Sequence, residues 1–139
     1  MKARKQHSMT LNTLQVSMAA QVTLRQLQHW DELKVVQPKH AGHRRSYDAV
    51  AFFKALLVAR MRSKKLSLER IRKSLATLPI EKLMETPEAC LLVSGRSMHI
   101  LRDEAVAMRA DLENGPVCVI CIAPLIEIVN REIRKRRAH

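Results

Sequence analysis

The apolar positions of the chain fall into short groups, most of them at helical spacing, and each group is closed by a turn signal. Leu14, Val16, Met18 and Ala19 follow Thr13, which is expected to cap a first short helix, with Ala20-Gln21-Val22 as the turn. Thr23 then caps a second helix, roughly Leu24 to Leu33. Leu24, Leu27 and Trp30 stand at i, i+3, i+6 and predict its buried stripe. The remaining face offers Arg25, Gln26, Gln28 and His29. Val35-Val36 is a short apolar run stopped by Pro38, and residues 39–45 are polar and basic with Gly42 at a turn tip. Ser46-Tyr47 leads back to order, so this stretch reads as a small β-hairpin, or wing. A long helix is expected over about Asp48–Ser63, with Phe52, Phe53, Leu56, Leu57 and Val58 on its core face. Ser67 caps the next helix, whose stripe is Leu68, Ile71 and Leu75; Arg70 stands where a capping box would place Glu. Residues 1–10 read as a frayed, basic arm.

Pro79 and Pro87 bracket a linker, with a turn or two of helix over Ile80–Met84. Beyond it the pattern changes. Ala89–Val93 and Met98–Leu101 read as two strands around a tight turn at Ser94-Gly95-Arg96-Ser97. Asp103 caps a helix carrying Ala105, Met108 and Leu112, ended by Asn114-Gly115-Pro116. The run Val117–Ile122 is apolar without alternation, as in a strand covered on both faces. Pro124 opens a last helix with Leu125, Ile126, Val129 and Ile133 and a basic tail. The fold class expected is α+β: a mostly helical unit over residues 1–78, a linker over 79–88, and a small ββαβα unit over 89–139.

Charge divides the chain at the same place. Residues 1–78 hold 16 Lys and Arg against 4 Asp and Glu, which accounts for the whole net charge of +12, whereas residues 79–139 hold 9 of each. A segregated excess of this kind suits a polyanion better than general solvation of the surface. Aromatic residues make up 3% of the chain, too few for a surface that stacks single-stranded bases. Hydrophobic residues at 47% are enough for a folded core, and no apolar run approaches the ~20 residues that span a bilayer. Met1–Lys5 is basic but is followed by no secretory apolar segment, so a cytoplasmic, nucleoid-associated location is expected.

The residues with chemistry to offer are basic and amide side chains. Arg25 can bond guanine and Gln26 or Gln28 adenine in the major groove, with His29 beside them. The helix start at Thr23 presents backbone N–H groups suited to a phosphate. Lys39, His43, Arg44 and Arg45 with Tyr47 in the wing, and Lys64-Lys65 after the long helix, would reach backbone or minor groove. Tyr47 is equally readable as core, and Trp30 reads as core. Cations at the end of the long helix also suit its macrodipole.

Cys118 and Cys121 form a C-x-x-C inside an apolar strand, where positions three apart face opposite sides. Packing as small hydrophobes is the preferred reading over a metal or redox set, which would need Cys90, Cys118 and Cys121, with His99, to converge. No Gly-rich phosphate loop, paired-carboxylate phrase or nucleophile elbow appears, so no enzyme and no cofactor are expected.

Val22-Thr23, Arg25, Leu27 and Trp30, then Pro38, Gly42, Arg45 and Tyr47, then Ser67-Leu68-Glu69-Arg70-Ile71 stand in an order that resembles the MerR family of bacterial transcription regulators over about residues 12–76. The resemblance implies a winged helix-turn-helix, double-stranded promoter or operator DNA as ligand, a homodimer, and RNA polymerase as a candidate partner. Gln21 and Lys34 replace glycines usual in the family, which predicts left-handed backbone carrying side chains at both. Gln28-His29 replaces a frequent Arg-aromatic pair. The family's long dimerisation helix is not visible; the ββαβα segment stands in its place and is expected to dimerise. The function expected is therefore sequence-specific transcriptional regulation, with a low-specificity architectural DNA-binding protein or an effector-gated sensor as alternatives.

Overall fold

A computed structural model describes residues 9–93, 98–102 and 118–137. The expected 94–97 turn, the helix opened by Asp103, Val117 and most of the N-terminal arm lie outside these residues. The described part is α+β, with six helices and two three-stranded antiparallel sheets.

Strand β1 (Thr10–Leu11) leads into α1 (Thr13–Ala20) and α2 (Leu24–Glu32), the two helices of the helix-turn-helix. Asn12, not Thr13, caps α1. Its Oδ1 accepts from Gln15 N at 2.8 Å and Gln15 Oε1 accepts from Asn12 N at 2.8 Å, a reciprocal capping box. Residues 9 and 10, expected to end a frayed arm, belong to the folded part instead. Met9 and Leu11 are buried, and β1 pairs with β3 as Thr10↔Asp48 and Leu11↔Tyr47. A two-residue strand is too short to show a period in sequence.

Strands β2 (Lys39–Ala41) and β3 (Arg44–Asp48) form the expected wing, giving a sheet ordered β1-β3-β2. Gly42 turns the hairpin at φ +65 with open space around it. Helix α3 (Ala49–Ser63) begins at Asp48, whose Oδ1 accepts from Ala51 N at 2.8 Å. Its Phe52, Phe53, Leu57 and Val58 are fully buried, so α3 is the axis of the core. Helix α4 (Leu68–Thr77) starts at Ser67, which accepts from Arg70 N at 3.2 Å; Ile71 and Leu75 are buried and Leu68 is half-buried. The short α5 (Ile80–Met84) adds Ile80 and Leu83.

Strands β4 (Cys90–Val93), β5 (Met98–Leu101) and β6 (Cys118–Cys121) make the second sheet, ordered β5-β4-β6. The strand buried throughout is β4. In β6 only Ile120 is fully buried, contrary to the double coverage its apolar run suggests. β4 lies between two paired neighbours and β6 beside one, and an apolar run does not reveal its place in a sheet. Leu91, Val93 and Ile120 join the main core, while Cys90 and Leu92 face the other side with Leu101, Val119 and Cys121. Helix α6 (Ala123–Arg137) packs along α3 with Leu125 and Val129 buried, so the main buried cluster runs from Met9 to Val129.

Candidate nucleic-acid interface

The turn between α1 and α2 is closed by backbone. Gln21 takes φ 58, as expected for a residue in the place of a turn glycine, and Val22 N donates to Ser17 O at 3.1 Å. The Ser17 hydroxyl donates to the Val22 carbonyl. Thr23 then caps α2. Its Oγ1 accepts from Gln26 N at 3.0 Å and Gln26 Oε1 accepts from Thr23 N at 2.9 Å. Two of the first orphan N–H groups of α2 are therefore satisfied within the protein, and the Gln26 oxygen is held by the cap.

Leu27 and Trp30 anchor α2 in the core, whereas Leu24 is 49% exposed and not part of the stripe. Each three-residue step drifts 60° around a helix, so the first and last of three such positions lie about 120° apart and only two share the core face. Leu24, Arg25, Gln26, Gln28 and His29 form one exposed, shallow concave face with Thr23 and Glu32, enclosing about 900 Å³. Gln28 Nε2 donates to Glu32 Oε2 at 3.1 Å. Lys34 at φ 61 ends the helix region in the expected left-handed conformation, and its N–H bonds Asp31 O at 3.0 Å.

The wing divides its residues by the two-residue period of a strand. Lys39, His43 and Arg44 are exposed. Arg45 is turned inward instead. Its Nε donates to Asp31 Oδ2 at 2.6 Å, and His40, its cross-strand partner, brings Nε2 to the same oxygen at 2.8 Å. Asp31 is 9% exposed and belongs to α2. A carboxylate on α2 thus holds both strands of the wing. Arg45 is an anchor of the wing, not an outward contact at its tip. Tyr47, two residues along, is fully buried and cannot reach a ligand. Burial, with the nearby Asp31 carboxylate, pushes its phenol from 10.0 up to about 12. Its hydroxyl is buried without a hydrogen-bond partner among the described residues. Asp31 and His40 had not been singled out in sequence. The inward side of Arg45 was readable from its two-residue spacing to Tyr47; the partner on α2 was not, because it lies 14 residues away.

On the far flank, Lys64 and Lys65 are exposed in the turn between α3 and α4, and Lys65 is a third left-handed residue at φ 68. Arg62 Nη1 donates to Leu66 O at 2.8 Å and closes this turn.

The cysteines separate as the strand period requires. Cys118 packs on the main core, and Cys121 faces the other side, where its Sγ lies 3.7 Å from Cys90 Sγ across paired strands. All three are thiols. Among the described residues no group of three or more His, Cys, Asp or Glu side chains could hold a metal ion, and no helix is long and apolar enough to cross a membrane.

No curated protein matches the chain. A family model described as MerR HTH family regulatory protein matches residues 12–78, from the capping box of α1 to the end of α4. Residues 12–78 therefore form a domain of the MerR family of helix-turn-helix regulatory proteins, a match that points to DNA-binding transcriptional regulation.

Proposed function

We propose that the protein is a sequence-specific regulator that binds duplex DNA as a homodimer. Arg25, Gln26, Gln28 and His29 of α2 lie in the major groove. Lys39, His43 and Arg44 of the wing, with Lys64 and Lys65, hold the flanking backbone. Arg25 pairs with guanine, and Gln28 reads adenine when released from Glu32. Gln26 offers its amide N–H groups, since its oxygen is held by the Thr23 cap. The cations of the wing fix register and contribute affinity that weakens with salt.

The observation that carries the reading is the Asp31 bridge, which ties the wing to the helix that offers the amide and guanidinium groups. One rigid unit then presents a base-reading helix and a backbone-holding hairpin together. Two copies of that unit, joined through the segment after residue 78, would read two half-sites in successive major grooves.

The test is a fluorescence titration against the protein's own promoter region and a scrambled duplex at two salt concentrations, with sedimentation of the protein and its complex. A preference of at least ~10³ for the promoter, with two chains per duplex, is expected. Equal, steeply salt-dependent binding to both duplexes would overturn specificity in favour of an architectural role. One chain per duplex would overturn the dimer.

A further inference from the structure

The second half of the chain is neutral by count but not in space. Its cations gather at the end of α6, where Arg131, Arg134, Lys135, Arg136 and Arg137 are all exposed. The packing of α6 on α3 carries three of them into a groove of about 1020 Å³ that also receives Arg60, Arg62 and Lys64 from the end of α3. Met18, Val22, Leu56 and Ile128 add apolar side chains to its lining. Gln21 of the helix-turn-helix turn lines it as well, and Gln26 lines both this groove and the recognition face. The two surfaces are therefore continuous.

Six cations meet one carboxylate in this groove. That carboxylate, Glu132, is 7% exposed and already engaged by its own helix, with Lys135 Nζ at 3.2 Å and Arg136 Nη2 at 3.3 Å. The ends of two helices supply about half a negative charge each. Glu132 and the helix ends together leave about four positive charges unbalanced. Helix-end electrostatics do not explain Arg131, because the dipole acts within the last turn and Arg131 lies six residues before the end of α6. Among the described residues Arg60, Lys64 and Arg131 make no ion pair. A small anion would neutralise one or two of these groups. A surface spread over two helices, open along its length and continuous with the recognition face, matches an extended polyanion.

We propose that this groove is a second phosphate-binding surface, in which Arg131, Lys135 and Arg136 of α6 act with Arg60, Arg62 and Lys64 of α3 to hold duplex backbone flanking the site read by α2. The inference rests on the DNA-binding reading above and adds to it that the C-terminal segment touches DNA. Contacts of this kind carry affinity and salt dependence but no sequence preference.

The test measures the slope of log affinity against log salt for the full chain on the promoter and scrambled duplexes. R131Q removes one cation that makes no ion pair; R131Q/E132Q/K135Q/R136Q removes three together with the carboxylate that two of them hold. The slope is expected to shrink by about 1 for the single variant and by 2 to 3 for the fourfold one, equally on both duplexes. R134Q, on the same helix but outside the groove, is expected to change the slope by less than about 0.3. Circular dichroism checks folding, and R131Q alone decides if the fourfold variant does not fold. Unchanged slopes in R131Q and the fourfold variant, with the wild type binding DNA, would overturn the groove and leave the recognition helix standing. An equal loss in R134Q would reduce the effect to net charge and overturn it as well. If the wild type binds neither duplex at low salt, the DNA-binding reading itself falls.

Discussion

The protein contains two three-stranded antiparallel sheets that differ in almost everything except their pairing. In the wing sheet, the tip from Lys39 to Arg44 is exposed, and the link to the body is one buried tyrosine, one buried leucine and a carboxylate bridge. In the second sheet every residue of β4 is buried and its two faces serve two clusters. The same backbone pairing yields an exposed basic hairpin in one place and a layer of the core in the other. What decides between them is whether side chains leave the sheet for solvent or for packing. The exposed tip of the wing can therefore be changed with little expected effect on the core, whereas its base at Tyr47 and Asp31 cannot.

The largest expected effect breaks the buried sheet. Leu91→Ala, at a position fully buried in β4, should cost about 3 kcal/mol in urea denaturation. The salt slope of DNA binding by the folded protein should not change. A cost below about 1 kcal/mol would mean that the second sheet is not a layer of the core.

The next effect lies at the base of the wing and depends on pH. The folded protein holds Tyr47 neutral up to about 12, whereas the unfolded chain ionises it near 10.0. Below pH 10 both states are protonated and the residue adds no pH dependence. Between pH 10 and 12 only the unfolded state releases the proton, so stability falls by up to ~2.7 kcal/mol. Tyr47→Phe should lack this alkaline loss. At neutral pH it should cost under about 1 kcal/mol, since the hydroxyl it removes has no partner among the described residues. A parallel pH course for variant and wild type would refute the assignment.

A smaller effect separates the wing from the helix. Asp31→Ala leaves Arg45 and His40, both partly solvated, without their shared carboxylate. A stability loss of about 1–2 kcal/mol is expected, together with faster amide exchange across β2 and β3. Unchanged exchange in the hairpin would show that the bridge does not hold the wing.

The smallest effect on stability falls at the tip. Lys39→Gln with Arg44→Gln should leave the unfolding midpoint within about 0.5 kcal/mol of wild type while reducing the salt slope by about 2. A slope that does not move would remove the wing from the interface.

Much of this was legible in the chain because it is local. Thr23 and Ser67 are side chains that bond a backbone N–H three residues ahead, so their capping roles stand in the sequence, whereas Asp48, expected as the first residue of its helix, is its cap. Gln21 and Lys34 were expected to be left-handed from their place in the family pattern, and both are. Where reading failed, it failed by a phase or a layer. Leu24 lies one drift of the helix away from the stripe, and Asn12 caps one residue earlier than Thr13. Arg45 and Tyr47 share the inward side of β3, which places a residue read as a DNA contact in an ion pair and another in the core. His40 and Asp31 gave no local sign, because neither means anything to the other until the wing folds over α2.

Periodicity, capping residues and turn chemistry determined by themselves the helix-turn-helix, the wing, the long central helix and the cationic character of the first half, since each depends on residues within a few positions of one another. The tertiary structure alone decided which strand of the second sheet is enclosed, that Cys90 and Cys121 face each other, and that one carboxylate ties the wing to α2. It alone also brought the basic end of α6 beside that of α3. The physical reason is distance along the chain. Arg131 and Lys64 are separated by more than sixty residues and repel one another, so no local preference records their meeting. The packing of α6 on α3, with Leu125 and Val129 buried and Ile126, Ile128 and Ile133 packed on the same core, holds them to one groove.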